Sequence, residues 1–106
     1  MLKVILESPY AGDVEANVSY ARRCVRNSLS RGEAPLASHL LYTQPGILDD
    51  DDPVQRAWGI DAGHAWIFGA YKMVVYRDRG ISPGMEKGIS RARDAGIIIE
   101  YRRIET

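Results

Sequence analysis

Apolar positions along the chain alternate between short continuous runs and helical stripes. Leu2-Lys3-Val4-Ile5-Leu6 and Lys72-Met73-Val74-Val75-Tyr76 are nearly unbroken apolar runs, the pattern of strands covered on both faces. Val14, Val18, Ala21, Val25 and Leu29 recur at spacings of four, three, four and four, one stripe of a helix. That helix is predicted over 14–30, with Asp13 as N-cap and Arg31-Gly32 as its end. A weaker strand is predicted around Ala34 to Ser38. The segment Leu40 to Asp52 has no period and carries turn chemistry at Gln44-Pro45-Gly46. Leu40, Leu41, Tyr42, Ile47 and Leu48 make it too apolar for disorder, so a packed loop, with room for a helical turn, is expected beside the site or a subunit contact. A second long helix is predicted from Pro53 to Phe68 and a third around Met85, Ile89 and Ala92. Gly96 stops the third helix, and a last strand runs over Ile97 to Tyr101. The order β-α-β-loop-α-β-α-β predicts an α/β domain with a mostly parallel four-stranded sheet between helices. The expected architecture is a three-layer, Rossmann-like (flavodoxin-like) sandwich over residues 1–106, with no sign of a second domain.

Composition narrows the partners. Fourteen basic residues balance fourteen acidic ones, which argues against a general nucleic-acid binder, because such affinity rests on neutralising phosphates. No apolar stretch approaches the ~20 residues that cross a bilayer, so no membrane partner is expected. The first residues run straight into a strand without a basic n-region or cleavage site. One cysteine, Cys24, excludes an internal disulfide and fits a reducing compartment; a cytoplasmic location is expected. Cys24 falls within the first helix, away from either histidine in sequence, and reads as a small buried residue. His39 and His64 form no metal-ligand spacing with it. Asp49 to Asp52 look like a metal loop, but Asp52 as N-cap, Pro53 at the first helical position and extra acids at the dipole's positive end explain them. No metal and no dissociable cofactor are expected.

The chemistry concentrates in Tyr76-Arg77-Asp78-Arg79-Gly80-Ile81-Ser82-Pro83-Gly84-Met85-Glu86-Lys87-Gly88. This reads as strand, glycine-rich turn and helix, with Glu86 in the first helical turn. Free backbone N–H groups there favour a negative charge, and open α/β sheets place ligands beyond the carboxyl ends of their strands. On position alone, Glu86 simply complements the dipole. The wider pattern, Gly84-Met85-Glu86-Lys87-Gly88 together with Ser8-Pro9-Tyr10 after the first strand, resembles the nucleoside 2-deoxyribosyltransferase family and its small nucleoside monophosphate N-glycosidase relatives. The resemblance implies that Glu86 attacks the anomeric carbon of a deoxyribose and that Pro9 and Tyr10 border the sugar or base. The family commonly carries an Asp six positions before its nucleophile. Here Gly80 stands there, and Asp78 is the nearest acid.

The expected function is therefore cleavage or transfer at the N-glycosidic bond of a nucleoside or nucleoside 5′-monophosphate. Glu86 is the expected nucleophile and Asp78 the acid or base-orienting group, with Asp61 second. Ser82 and the N–H groups of Gly84 and Met85 are expected to hold a sugar hydroxyl or phosphate. Ser38 and His39 are weaker candidates. The alternative is a non-catalytic module that binds a nucleotide or nucleotide-derived signal, and a third is an interaction protein that has lost its pocket. Trp58 and Trp66 on the second long helix make it the expected interface of a homodimer or higher homo-oligomer. Asp78 and Glu86 facing one cavity would favour catalysis; Asp78 held elsewhere would favour the binding module.

Overall fold

The computed structural model describes residues 1–105. In chain order its elements are β1 (Leu2–Glu7), α1 (Val14–Ser30), β2 (Glu33–Leu36), α2 (Ser38–Leu41), α3 (Pro53–Ala65), β3 (Lys72–Tyr76), α4 (Pro83–Asp94) and β4 (Ile98–Arg102). The start signals read from the sequence operate as expected. Asp13 accepts from the Ala16 N–H at α1, and Asp52 accepts from the Val54 N–H ahead of Pro53 at α3. Two boundaries differ by more than one residue. Ser38 opens the short helix α2 instead of ending a strand, and α3 stops at Ala65 because the following residues turn toward Gly69, whose φ of 89° suits glycine.

All strands are parallel, in the order β2-β1-β3-β4. The sheet thus consists of two β-α-β units wound outward from its centre. Right-handed crossovers to opposite edges require α1 and α4 to cover opposite faces, and the two cores follow. Val4, Leu6, Val74 and Tyr76 pack with Tyr20 and Cys24 of α1. Ile5, Met73 and Val75 pack with Met85, Ile89 and Ala92 of α4 and with Ile67. Even-numbered residues of β1 and β3 therefore face α1, and odd-numbered ones face α4. This is the three-layer, Rossmann-like α/β architecture. Cys24 is buried, and its desolvation pushes the thiol up to about 12.

The α1 side also holds a buried ionic cluster. Arg102 grips Glu33 through two N–H groups, at 2.7 and 2.6 Å, and also donates to Tyr76 Oη at 3.0 Å and to Glu100. Lys72 bridges Glu100 at 2.8 Å and Glu33 at 3.2 Å, while Ser28 donates to Glu33 at 2.7 Å. The Arg102 guanidinium, aided by Ser28 and Lys72, outweighs burial and pulls the Glu33 carboxyl down to about 2.

The remaining helix, α3, lies outside both cores. Gly63 is its one buried residue. A Cβ there would stand 2.5 Å from Ser38 Oγ, so glycine is what lets α3 approach α2. Trp66 Nε1 ties the end of α3 to Tyr42 Oη at 2.8 Å. Val54, Trp58, Trp66, Phe68 and Tyr71 remain exposed. Among the described residues, no helix is long and apolar enough to cross a membrane.

Candidate functional site

The strand order reverses between β1 and β3, because the chain leaves β1 toward one edge and β3 toward the other. At such a point the loops diverge and open a crevice beyond the carboxyl ends of the strands. A cavity of about 380 Å³ lies there. The end of β1 supplies Glu7 and Ser8, with Tyr10 just beyond; α2 supplies Ser38 and His39; α3 supplies Arg56 and His64. The start of α4 closes the opposite side with Ser82, Gly84, Met85 and Lys87, and Asp50 reaches in from the loop before α3.

Glu7 is the group with the most unusual surroundings. It is the last residue of β1 and shares its odd-numbered face with Ile5, so it points toward α4. Its carboxyl sits against the helix backbone at Gly88. A Cβ at position 88 would come 2.5 Å from Glu7 Oε1 and 3.0 Å from its Cδ. Glycine at 88 is therefore a condition for seating this side chain. Within the described residues Glu7 has neither a hydrogen bond nor an ion pair. Burial alone pushes its carboxyl up to about 8.

Beside it, Ser8 Oγ and His39 Nε2 are paired at 2.6 Å. Burial pulls the His39 imidazole down to about 4, so the ring is neutral near pH 7. The pairing joins the first residue after β1 to a helix that follows β2, and so fixes the cavity wall between adjacent strands. His64 is also held below its ordinary value, first by burial and then by Arg91.

The structure separates the two acids expected to act together. Asp78 follows Tyr76 on the α1 face, away from the cavity. It accepts from Tyr20 Oη at 2.6 Å and from the backbone N–H groups of Ile104 and Glu105 at 2.8 to 3.1 Å. Burial pushes its pKa up, but Tyr20 and those N–H donors outweigh it and hold the carboxyl below its ordinary value. The physical reason is strand parity: an even-numbered residue continuing β3 has to face α1. Glu86 is exposed on α4, whereas its neighbours Met85 and Lys87 line the cavity.

The other expected residues divide. Tyr10, Ser82, Gly84, Met85 and His39 line the cavity, as does Ser38. Pro9 is buried outside the cavity lining, and Asp61 is exposed beside a shallow neighbouring depression with Ser90 and Arg91. Of the two α4 amides expected to hold a ligand, the Met85 N–H has a prior partner: it donates to Ser82 Oγ at 3.2 Å, and the Glu86 N–H next to it donates to Ser82 O at 2.9 Å. A phosphate would have to displace Ser82 to reach Met85. Glu7 itself reads in the sequence as a turn residue after an apolar run. The signal that reaches it is its alternation with Ile5 at the end of a central strand.

Among the described residues, no group of three or more His, Cys, Asp or Glu is placed to hold a metal ion. The arrangement offers instead an unpartnered carboxyl, a neutral Ser–His pair and basic groups at the wall, gathered round a space of small-molecule size. The sequence matches, over residues 2–102, the family described as a domain of unknown function, DUF7768. The chain belongs to DUF7768. The match runs from β1 through β4 and so takes in both halves of the sheet that form the cavity. No curated protein matches the chain.

Proposed function

We propose that the cavity takes a nucleoside or nucleoside 5′-monophosphate and that the chain cleaves or transfers its N-glycosidic bond. Glu7, not Glu86, provides the carboxyl group in this reading. The observation that carries it is the Glu7 side chain itself, unpartnered among the described residues, raised in pKa and lining the cavity at the switch point of the sheet. Strong perturbation by desolvation within a cleft marks a candidate functional group. Breaking an N-glycosidic bond calls for such a group beside the departing base. No cofactor is needed. Incubation with common ribo- and deoxyribonucleosides and their 5′-monophosphates, with chromatographic detection of free base, tests the reading. Release of base that disappears in Glu7→Gln supports it; release that survives this change removes the proposed role of Glu7.

A second reading has its own support. Asp78 and Glu86 do not share the cavity, and a site without their chemistry would still bind a nucleotide or nucleotide-derived signal. Thermal shift against the same compounds separates the readings. Stabilisation without base release identifies a binding module, and no response to any compound favours an interaction protein.

The exposed apolar residues of α3 and the turn after it, above all Val54, Trp58 and Phe68, support assembly into at least a dimer through this face. Sedimentation showing a monomer at high micromolar concentration would overturn that part. The free, buried Cys24 supports a reducing, cytoplasmic setting.

A further inference from the structure

We propose that Glu7 acts first as a proton donor and then as a proton acceptor in a hydrolysis that forms no covalent bond between sugar and protein. The inference rests on the N-glycosidic reading above and assigns its carboxyl a role different from that of an attacking nucleophile.

The geometry carries the argument. Glu7 belongs to a central strand whose backbone is paired with β3, Glu7 lying opposite Val75. Its carboxyl lies against the α4 backbone, in a position from which a methyl group at residue 88 would displace it. A nucleophile has to advance until it bonds to the anomeric carbon, which would draw this carboxyl out of its seat. An acid needs only hydrogen-bond reach of about 2.6–3.2 Å to the atom it protonates. A short side chain on a paired strand, held from behind by a helix, suits the second task.

The surrounding charges agree. His39 and Tyr42 face the cavity from the α2 side, Arg56 and His64 from α3, Lys87 from α4, and Tyr10 and Asp50 from loops. Among the described residues none of them lies within ion-pairing or hydrogen-bonding distance of the Glu7 carboxyl, and the nearby Ser8 and His39 are bound to each other. Burial without a compensating cation keeps Glu7 protonated below about pH 8.

The reaction then balances. The Glu7 proton passes to the base as the bond between the anomeric carbon and the base nitrogen breaks. The bonding pair leaves with the base, and the sugar becomes an oxocarbenium-like cation. Water bonds to the anomeric carbon, and one of its protons returns to the Glu7 carboxylate. The products are the free base and the free sugar or sugar 5′-phosphate, with Glu7 again protonated.

The test uses the intact chain with ribo- and deoxyribonucleosides and their 5′-monophosphates, with and without a second free base. The expected result is equal release of base and sugar, no new nucleoside from the added base, and no sugar mass on acid-quenched protein. Turnover should fall above about pH 8. Glu7→Gln should lose on the order of 10²-fold or more in turnover while thermal shift still reports ligand. Glu7→Asp should keep measurable turnover with a displaced alkaline limb. A sugar adduct on any carboxylate, transfer to the added base, or an unchanged Glu7→Gln rate overturns the inference while leaving N-glycosidic cleavage standing. Ligand binding with no base release from any compound overturns both.

Discussion

Two carboxylates, the half-buried Glu7 and the buried Glu33, lie on opposite sides of the same small sheet, and their surroundings could hardly differ more. Glu33 is surrounded by donors: Arg102 with two N–H groups, Lys72 and Ser28. Glu7 has no partner among the described residues and touches a helix backbone that only glycine allows so close. The same functional group is pulled down to about 2 in one place and pushed up to about 8 in the other. The difference teaches where structure ends and chemistry begins. A carboxylate with all its donors is fixed in charge and position, and its removal is felt as instability. One left without donors holds its proton to higher pH, and it faces a cavity instead of a cluster of cations.

Arg102→Ala should give the largest effect, because it leaves Glu33 charged, buried and short of its main partner. A loss of roughly 3–5 kcal/mol in urea unfolding is expected. The double change Arg102→Met with Glu33→Leu should recover much of that loss, since paired removal leaves no orphaned charge. A double variant as unstable as Arg102→Ala would show that the cluster does more than satisfy its own charges.

Glu7→Gln should act in the opposite direction, and only at higher pH. Its folded-state pKa is raised, so the wild-type stability associated with the neutral acid is intact below about 4.5. It is lost progressively as pH rises through about 8. The variant, which cannot ionise, should therefore gain a few kcal/mol on the wild type at pH 9 and little at pH 4. Parallel stability curves from pH 4 to 9 would break the comparison, since Glu7 would then be ionised in the folded protein as it is in the unfolded chain.

Gly88→Ala sharpens the steric half of the comparison. The added methyl meets the far end of the Glu7 side chain and pushes the carboxyl aside, a penalty offset in part by the roughly 0.5–1 kcal/mol that alanine gains over glycine inside a helix. Combined with Glu7→Ala, the penalty should shrink, a coupling that a double-mutant cycle reads directly. Additive effects would mean that residue 88 is constrained by something other than Glu7.

Glu86→Ala should do least. Its side chain is exposed in the first turn of α4, where a negative charge is worth about 0.3–1 kcal/mol. Stability should fall by no more than that, and base release should be unchanged. A large loss of turnover would return the nucleophile to Glu86 and overturn the assignment of Glu7.

Much of the fold was legible because local rules and tertiary packing agree. The apolar runs at Val4-Ile5-Leu6 and Met73-Val74-Val75 are the two central strands, and Asp13, Asp52 and Gly96 mark helix ends by their own chemistry. The walls of the cavity were partly legible for the same reason, since Tyr10, Ser82 and Met85 sit where strands give way to helices. The placement of Glu7 was not. Glu7 and Gly88 meet only because the β3-α4-β4 unit docks beside β1, and neither residue's neighbours in sequence report that contact. Asp78 was misplaced although its parity with Tyr76 was available, because a motif-based reading outweighed simple alternation. The Glu33–Arg102 pair spans 69 positions and could not be read from any local pattern.

The seam between β1 and β3 has a consequence in time as well as in space. Each β-α-β half closes over less than half the stretch of chain that the seam does in pairing Val4 with Lys72, so the seam costs more to close, by about 0.6 kcal/mol for each doubling of the loop. The expected order is that the halves form first and the seam last. Glu7 then keeps its water until the final docking and is dehydrated in that one event. Docking should therefore slow as pH rises from about 4.5 to about 8, because the open-chain carboxyl ionises at its ordinary value and has to take up a proton to be seated. Stopped-flow refolding should show this slowing in the wild type and not in Glu7→Gln. Closing the sheet and seating Glu7 would then be a single kinetic step, and a chain arrested before it would possess most of its secondary structure and no cavity.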